Sequence, residues 1–174
     1  MTIVTRETKE TRIQVQIELA KDSKAPETSI VTGEPFLDHM LTTFAHYAAL
    51  DLHVTAAGDL RHHLIEDVAI ALGQSIALLA PAGVARYGDR TIPMDDALVQ
   101  VALDIGGRPF YRGKLPSGLY NHWMRSFATN ARTTLHVRVL RGHDRHHIVE
   151  AAFKALGLAL RQALVDTGAV MSTK

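Results

Sequence analysis

The sequence predicts an α+β fold that is built from two repeated halves. Three observations support it: a motif that occurs twice, short segments that alternate between apolar and polar residues, and longer segments whose apolar residues recur at helical spacing. We predict a single domain over residues 1–174, divided into halves of about 1–88 and 89–174. Each half should have the element order β-β-α-β-α, with its sheet covered by helices.

The repeated motif is His-His-x-x-Glu, which occurs at residues 62–66 and again at 146–150, 84 residues later. The segment 36–45 also resembles 119–128, at an offset of 83 residues. A fixed internal period indicates repeated supersecondary units. Two copies favour halves that share one core over an open solenoid. We expect the seam near residues 82–95, where prolines and glycines interrupt the pattern.

In the first half, residues 11–19 alternate between apolar and polar side chains, which predicts a half-buried strand. Residues 27–33 are a weaker strand candidate, and the apolar segment 36–48 predicts a helix. Residues 51–56 are predicted as a strand. Residues 61–79 are predicted as a helix, because their apolar side chains recur every three or four positions.

The second half repeats this order. Strands are predicted at about residues 97–105, 108–114 and 132–140, and helices at about 119–129 and 144–165. Because strand pairs are followed by helices in both halves, we expect each sheet to be covered by helices on one face.

Composition restricts the function classes. The chain is 47% apolar and 21% charged with a net charge of +1, so no global field favours nucleic acid or acidic membranes. No apolar run is long enough to span a bilayer, and the N-terminal segment lacks the apolar core of a signal peptide. The absence of cysteine excludes thiolate metal sites and fits a reducing compartment. We expect a cytoplasmic protein that binds neither nucleic acid nor membrane.

The ten histidines are the abnormal feature of the composition. Two imidazoles and a carboxylate are good ligands for a divalent metal, and Glu66 shares a helix face with His62 or His63. Adjacent histidines diverge by about 100° around a helix axis, so one helix does not easily aim both at one ion. The simplest arrangement has two ions, each bound by one histidine of each doublet. Such sites suit Mn²⁺, with Fe²⁺ or Zn²⁺ as alternatives.

Two more histidines, His39 and His122, lie at equivalent positions on the preceding predicted helices and could complete the two shells. A single copy of the motif would more often form an exposed polar face of a helix. Because the motif recurs at an equivalent position, metal binding is the favoured interpretation. By contrast, His53 and His136 lie between apolar strand residues and face away from them, so we expect structural or surface roles. The predicted metal ligands are His39, His62, His63, Glu66, His122, His146, His147 and Glu150.

In combination, these and further segments resemble the imidazoleglycerol-phosphate dehydratase family nearly end to end. Each segment alone is weakly specific, whereas the whole set in this order is highly specific. The matching segments lie at residues 6–11, 35–41, 62–67, 86–88, 93–98, 104–109, 130–136, 146–151 and 172–174.

The resemblance implies a hydro-lyase that dehydrates D-erythro-imidazoleglycerol phosphate to imidazole-acetol phosphate in histidine biosynthesis. It implies duplicated halves of the ribosomal protein S5 domain 2-like fold and two Mn²⁺ ions per active site. It also implies homo-oligomers built from trimers, with on the order of 24 subunits and active sites at subunit interfaces.

By position, the resemblance implies roles for individual residues. It makes Glu10 a catalytic acid–base candidate that also contacts the substrate, and it adds Glu66 and Glu150 to the catalytic candidates. Arginine forks suit a phosphate because they bond it bidentately. The residues placed near the substrate phosphate are Arg86, Arg108, Ser172, Thr173 and Lys174.

Two regions depart from the family pattern. The segment that leads into the first His-His doublet, at residues 58–62, is shorter than is usual in the family. Leu64 stands where the family commonly has threonine. Where the family usually has a second histidine after His39, this chain has Tyr47, with His46 beside it. We expect these changes to affect the substrate pocket more than the metals. The alternatives are another metal-dependent lyase or hydrolase of a phosphorylated azole on this scaffold, or a non-catalytic shell or storage protein.

Overall fold

The computed structural model describes residues 1–20, 24–80 and 83–168, whose elements form two repeated sets. The first set is β1 (Thr2–Glu7), β2 (Thr11–Leu19), β3 (Thr28–Val31), α1 (Pro35–Ala48), β4 (Leu50–Gly58) and α2 (Arg61–Leu79). The second set is β5 (Tyr87–Met94), β6 (Ala97–Asp104), β7 (Phe110–Gly113), α3 (Gly118–Asn130), β8 (Thr134–Arg141) and α4 (Arg145–Ala163).

The predicted order β-β-α-β-α is present in both halves, and the duplicated α+β fold is confirmed. Each half begins with one further strand, β1 or β5, that the sequence analysis did not predict. Strand β5 lies inside the segment expected to be the seam. Its Gly88, which we interpreted as a breaker, is instead a contact point with α4. A Cβ atom there would lie 1.9 Å from the carbonyl oxygen of Ala159, so only glycine allows this approach.

Each half forms a four-stranded mixed sheet with the same strand order, β1-β2-β4-β3 and β5-β6-β8-β7. The first two pairings in each sheet are antiparallel and the last is parallel. Side chains alternate between the two faces of a strand, so one face of β2 buries Ile13, Val15 and Ile17. This face packs against helices.

The helices pair across the two halves. Helix α2 packs on β1 and β2 and also against α3, whereas α4 packs on β5 and β6 and also against α1. Gly73 of α2 and Gly157 of α4 occupy equivalent positions at these crossings. A Cβ atom at Gly73 would lie 2.7 Å from the carbonyl oxygen of Phe127, and one at Gly157 would lie 2.7 Å from that of Phe44. The two glycines therefore bring each doublet helix close to a helix from the other half.

The buried apolar residues of both halves form one continuous cluster. Its largest side chains include Trp123, Phe44 and Phe127, and the rings of Trp123 and Phe127 stack with centroids 5.3 Å apart. The two sheets thus bury a shared core, on which the helix pairs are held. Among the helices of the described residues, none has both the length and the apolar character needed to cross a membrane.

Candidate metal and active site

The α2–α3 cluster consists of His62 and Glu66 from α2 and His122 from α3. His122 Nε2 lies 3.0 Å from Glu66 Oε1, and His62 Nε2 lies 3.6 Å from Glu66 Oε2. The three potential ligand atoms lie within 4.8 Å of one another. Two imidazole nitrogens and a carboxylate oxygen at this spacing fit one divalent cation.

The α1–α4 cluster has the same composition and is built from His39 of α1 with His146 and Glu150 of α4. His146 Nε2 lies 3.1 Å from Glu150 Oε2, and His39 Nε2 lies 3.5 Å from the same oxygen. Its potential ligand atoms also lie within 4.8 Å of one another. Each cluster therefore combines the first histidine and the glutamate of one motif with a histidine from the other half.

One atom of the α2–α3 cluster is poorly satisfied by the protein alone. His122 Nε2 is shielded from solvent and forms no hydrogen bond within the described residues. Glu66 Oε1 lies 3.0 Å from this nitrogen but forms no hydrogen bond with it. A buried nitrogen without a partner is costly, whereas a bound cation would satisfy it. The donor set and this unsatisfied nitrogen both fit a divalent metal.

The second histidine of the first doublet, His63, lies outside the α2–α3 cluster. Its Nδ1 is 3.1 Å from Asp59 Oδ1 and 3.4 Å from Oε2 of Glu10, the predicted acid–base residue. The hydrogen bond to Asp59 raises the pKa of His63, and the same bond lowers the pKa of Asp59. The structure thus brings Glu10 to one of the predicted ligands, in the exposed turn between β1 and β2.

The second histidine of the other doublet, His147, also lies outside its cluster. Its Nδ1 is 2.8 Å from Asp96 Oδ1, and its Nε2 is 3.3 Å from Asp95 Oδ2. Asp96 Oδ2 accepts hydrogen bonds from the backbone N–H groups of His143 and Asp144, at 2.6 and 3.1 Å. These backbone bonds, with the bond from His147, hold the pKa of Asp96 well below its usual range. The role of His63 and His147 as metal ligands stays a prediction.

Two of the predicted phosphate-binding residues, Arg86 and Arg108, meet at one carboxylate. Arg86 Nε and Nη2 donate to the two oxygens of Asp104, at 2.7 and 3.0 Å, and Arg108 Nη2 lies 3.7 Å from Asp104 Oδ2. The bidentate bond from Arg86 lowers the pKa of Asp104. Ser172, Thr173 and Lys174 lie outside the described residues.

These arginines lie far from His147 in the same chain. Strand β6 starts at Ala97, directly after the Asp95–Asp96 pair, and ends at Asp104. Eight residues of extended strand span about 24 Å. In the antiparallel register, Tyr87 pairs with Asp104, so Arg86 also lies at the far end of the sheet. The phosphate candidates and His147 thus occupy opposite ends of β6.

The sequence profile of the family described as imidazoleglycerol-phosphate dehydratase matches residues 32–160. The chain belongs to the imidazoleglycerol-phosphate dehydratase family. A family relative from Salinispora tropica is 46% identical over 197 residues, covering 98% of this chain and 96% of the relative. Another from Methanococcoides burtonii is 43% identical over 187 residues, with the same coverage of 98% and 96%. The resemblance and the hydro-lyase class inferred from the sequence are confirmed.

Solved structures of this family share the fold. The crystal structure of the Pyrococcus furiosus enzyme superposes with a TM-score of 0.86 at 41% identity, covering 97% of each chain. The crystal structure of the Staphylococcus aureus enzyme gives a TM-score of 0.80 at 35% identity, covering 95% of this chain and 100% of the other.

The sequence analysis missed Lys154, which distinguishes the two clusters. Its Nζ lies 2.9 Å from Glu150 Oε1, one helical turn away. Burial alone would raise the pKa of Glu150, but the Lys154 ammonium and the nearby histidines outweigh it, so this pKa is lowered. Tyr47, at the position where the family usually has a histidine, lies with its ring 6.0 Å from Lys154 Nζ. The tyrosine that replaces the family's usual histidine therefore lies near the α1–α4 cluster.

Other missed residues hold the starts of the doublet helices. Asp144 caps α4 by accepting from the backbone N–H groups of His146 and His147, at 2.7 and 3.4 Å. In α2, Asp67 accepts from Arg6 Nε at 2.9 Å and from the hydroxyl of Thr11. The sequence contained an indication of each residue. Asp144 stands at the start of the predicted helix, where N-cap residues occur, and Asp67 is the last residue of a segment that matches the family.

Proposed function

We propose that the chain dehydrates D-erythro-imidazoleglycerol phosphate to imidazole-acetol phosphate, a step of histidine biosynthesis, with the help of two bound Mn²⁺ ions. The single observation that carries the proposal is the pair of His–His–Glu clusters related by the internal repeat. Membership of the family supports the reaction. Cysteine is absent and each cluster has only nitrogen and oxygen donors, which supports Mn²⁺ over a metal that prefers thiolate.

In this proposal, His39, His146 and Glu150 hold one ion, and the α2–α3 cluster holds the other. Two bound cations would act as Lewis acids on the substrate's imidazole ring, favouring its anion and so helping the ring to accept charge as the hydroxyl departs. The protein's own part is to fix both ligand sets on paired helices. Because the helices are held by the shared core, the spacing of the ligands is set before the substrate arrives.

We further propose that the active site is completed between copies of the chain, in a homo-oligomer built from trimers. The substrate joins its imidazole to its phosphate through a short glycerol unit. Such a molecule cannot reach from His147 to the arginines of the same chain, because about 24 Å of strand separates them. If both groups serve one substrate, the arginines must come from a second chain. His63 and His147, which lie outside their own clusters, would then complete the coordination of the ions at that interface.

Glu10 is the proposed proton carrier. Dehydration breaks a C–H bond and the C–O bond on the neighbouring carbon, releases water and leaves an enol that becomes the ketone of the product. A carboxylate suits the proton transfer if it is accessible and held in place. The Glu10 side chain is 55% exposed and lies 3.4 Å from His63 Nδ1, the same ring atom that lies 3.1 Å from Asp59 Oδ1.

The test is a direct assay of imidazoleglycerol phosphate dehydration by the purified chain with Mn²⁺, with a chelator, and after Mn²⁺ is restored. The expected result is turnover that chelation abolishes and Mn²⁺ recovers. Retained metal without turnover of this substrate would instead favour a lyase or hydrolase of another phosphorylated azole. Assembly that depends on metal, without turnover of any such substrate, would favour a shell or storage protein.

A further inference from the structure

A basic cavity lies between β7, β8 and α3, and its lining contains no residue of the two histidine clusters. Its volume is about 620 Å³, within the usual range for a small-molecule site. Neither Arg86, Arg108 nor any residue of the two metal clusters lines it. The lining residues that define its chemistry are Phe110, Arg112, Lys114, Arg125, His136 and Arg138.

The positive charge of this cavity is local and is not neutralised by the chain. No carboxylate lines the cavity, and its four cationic side chains form no ion pair within the described part of the chain. The whole sequence has a net charge of only +1, so the cluster does not follow from a generally basic composition. Four like charges in one concavity repel each other, and an anion would relieve that repulsion.

The internal repeat supplies a matched comparison. In the second sheet Arg112 lies opposite His136, and at the equivalent place in the first sheet Ser29 lies opposite His53. At the same offset of 83 residues, Arg125 corresponds to Thr42 and Arg138 to Thr55. Lys114 corresponds to Val31 in the same way. Since one half forms the same sheet with uncharged residues at all four positions, the fold does not require the charges.

The cavity also offers an aromatic surface. Phe110 is 52% exposed, and its ring lies 5.7 Å from that of His136 with a tilt of 40° between the planes. Guanidinium groups bind phosphate oxygens bidentately, and exposed rings stack on planar heterocycles. We propose that this cavity binds a small phosphorylated anion with a planar ring, of the nucleoside diphosphate class.

The test is calorimetric titration of the full-length, metal-loaded protein with ADP, pyrophosphate and adenosine. ADP should bind, pyrophosphate should bind more weakly, and adenosine should show no measurable binding. The variant carrying Arg112→Ser, Arg125→Thr and Arg138→Thr copies the first half. Its dissociation constant for ADP should rise at least about 100-fold while dehydration activity is unchanged. Arg161→Gln, which removes an exposed arginine outside the cavity, should leave ADP binding unchanged.

If the triple variant does not fold, Lys114→Val provides a second test, with a loss of about tenfold expected. Unchanged ADP affinity in whichever variant folds would overturn the proposal. So would loss of ADP binding in an Arg86→Ala and Arg108→Ala double variant, because the ligand would then sit at the proposed phosphate site. A change in oligomer mass caused by the cavity variants would assign the surface to a second copy of the chain. Binding of single-stranded RNA without binding of ADP would also contradict the proposal of a nucleoside diphosphate site.

Discussion

The two histidine clusters contain the same ligand types but lie in different electrostatic surroundings. In the α1–α4 cluster the Glu150 side chain is only 8% exposed, and Lys154 lies 2.9 Å from it. In the α2–α3 cluster the Glu66 side chain is 32% exposed, and the position equivalent to Lys154 is Ile70. The repeat has preserved the ligands and changed their neighbours. Two ions bound here would therefore experience different net charges.

The turns next to the second histidine of each doublet, His63 or His147, differ as well. Asp96, beside His147, uses one oxygen to accept two backbone N–H groups, which holds the start of α4. Glu10, at the corresponding turn of the first half, has a mostly exposed carboxylate near His63. The same place in the repeat thus carries a structural carboxylate in one half and an available one in the other.

The largest expected effect comes from replacing the available carboxylate. Glu10→Gln should lower kcat by about 10²–10⁴, because the amide cannot carry the proton, and leave the metal content unchanged. Asp96→Asn is the matched variant, and we expect it to lower the melting temperature because its backbone bonds weaken. Steady-state kinetics, elemental analysis and thermal unfolding of both variants make the comparison. An equal loss of kcat in both would remove the distinction between the two turns.

The second prediction exchanges the neighbours of the two clusters. In the proposed two-Mn²⁺ site, Lys154→Met should tighten Mn²⁺ binding at the α1–α4 cluster by about tenfold, since it removes a cation close to the proposed ion position. Ile70→Lys should weaken binding at the α2–α3 cluster by a similar factor. Competition with a chelator, followed by the paramagnetic signal of Mn²⁺, measures both affinities. If the two sites of the unmodified protein already bind equally, the electrostatic difference has no consequence for the metals.

A smaller effect is expected at the far end of β6. Arg108→Ala should raise KM for the phosphorylated substrate by about tenfold with little change in kcat, because it removes the proposed contact to the phosphate, a group remote from the chemistry. The Arg108 side chain is 74% exposed in one chain, so its removal should not disturb folding. Arg112→Ala, in the basic cavity, is the control. Its KM should stay at the unmodified value, and an equal rise would indicate a general charge effect.

The smallest effect concerns acid stability. Arg86 lowers the pKa of Asp104 below its ordinary value of 3.8, so the folded chain binds this proton less readily than the unfolded chain. The stabilisation is therefore present above pH 3.8 and is lost as the pH falls through the folded pKa. Asp104→Asn should be less stable than the unmodified chain at about pH 6, and the difference should shrink towards about pH 2.5. Chemical denaturation across this range measures it, and a constant difference would contradict the linkage.

Much of the fold followed from periodicity. The alternation of Ile13, Val15 and Ile17 and the spacing of residues 61–79 predicted their elements, because both patterns follow from burying one face. Strand β1 was missed because few of its residues are apolar, and β5 because Gly88 and Pro93 are usual breakers. Sheet pairing with β2 and β6 overrides both signals, and no local pattern reports that pairing.

The candidate site divides in the same way. By itself the sequence predicted the candidate donors and their duplication, and the divergence of adjacent histidines on a helix predicted that His62 and His63 would bind at different positions. Only the tertiary structure decided that His39 joins the motif of the other half, that Lys154 stands beside one glutamate, and that Arg86 lies at the opposite end of β6 from His147. The physical reason is that helix spacing is a local property of the chain. Which helices meet depends on the packing of a shared core, where Gly73 and Gly157 allow close approach between residues far apart in sequence.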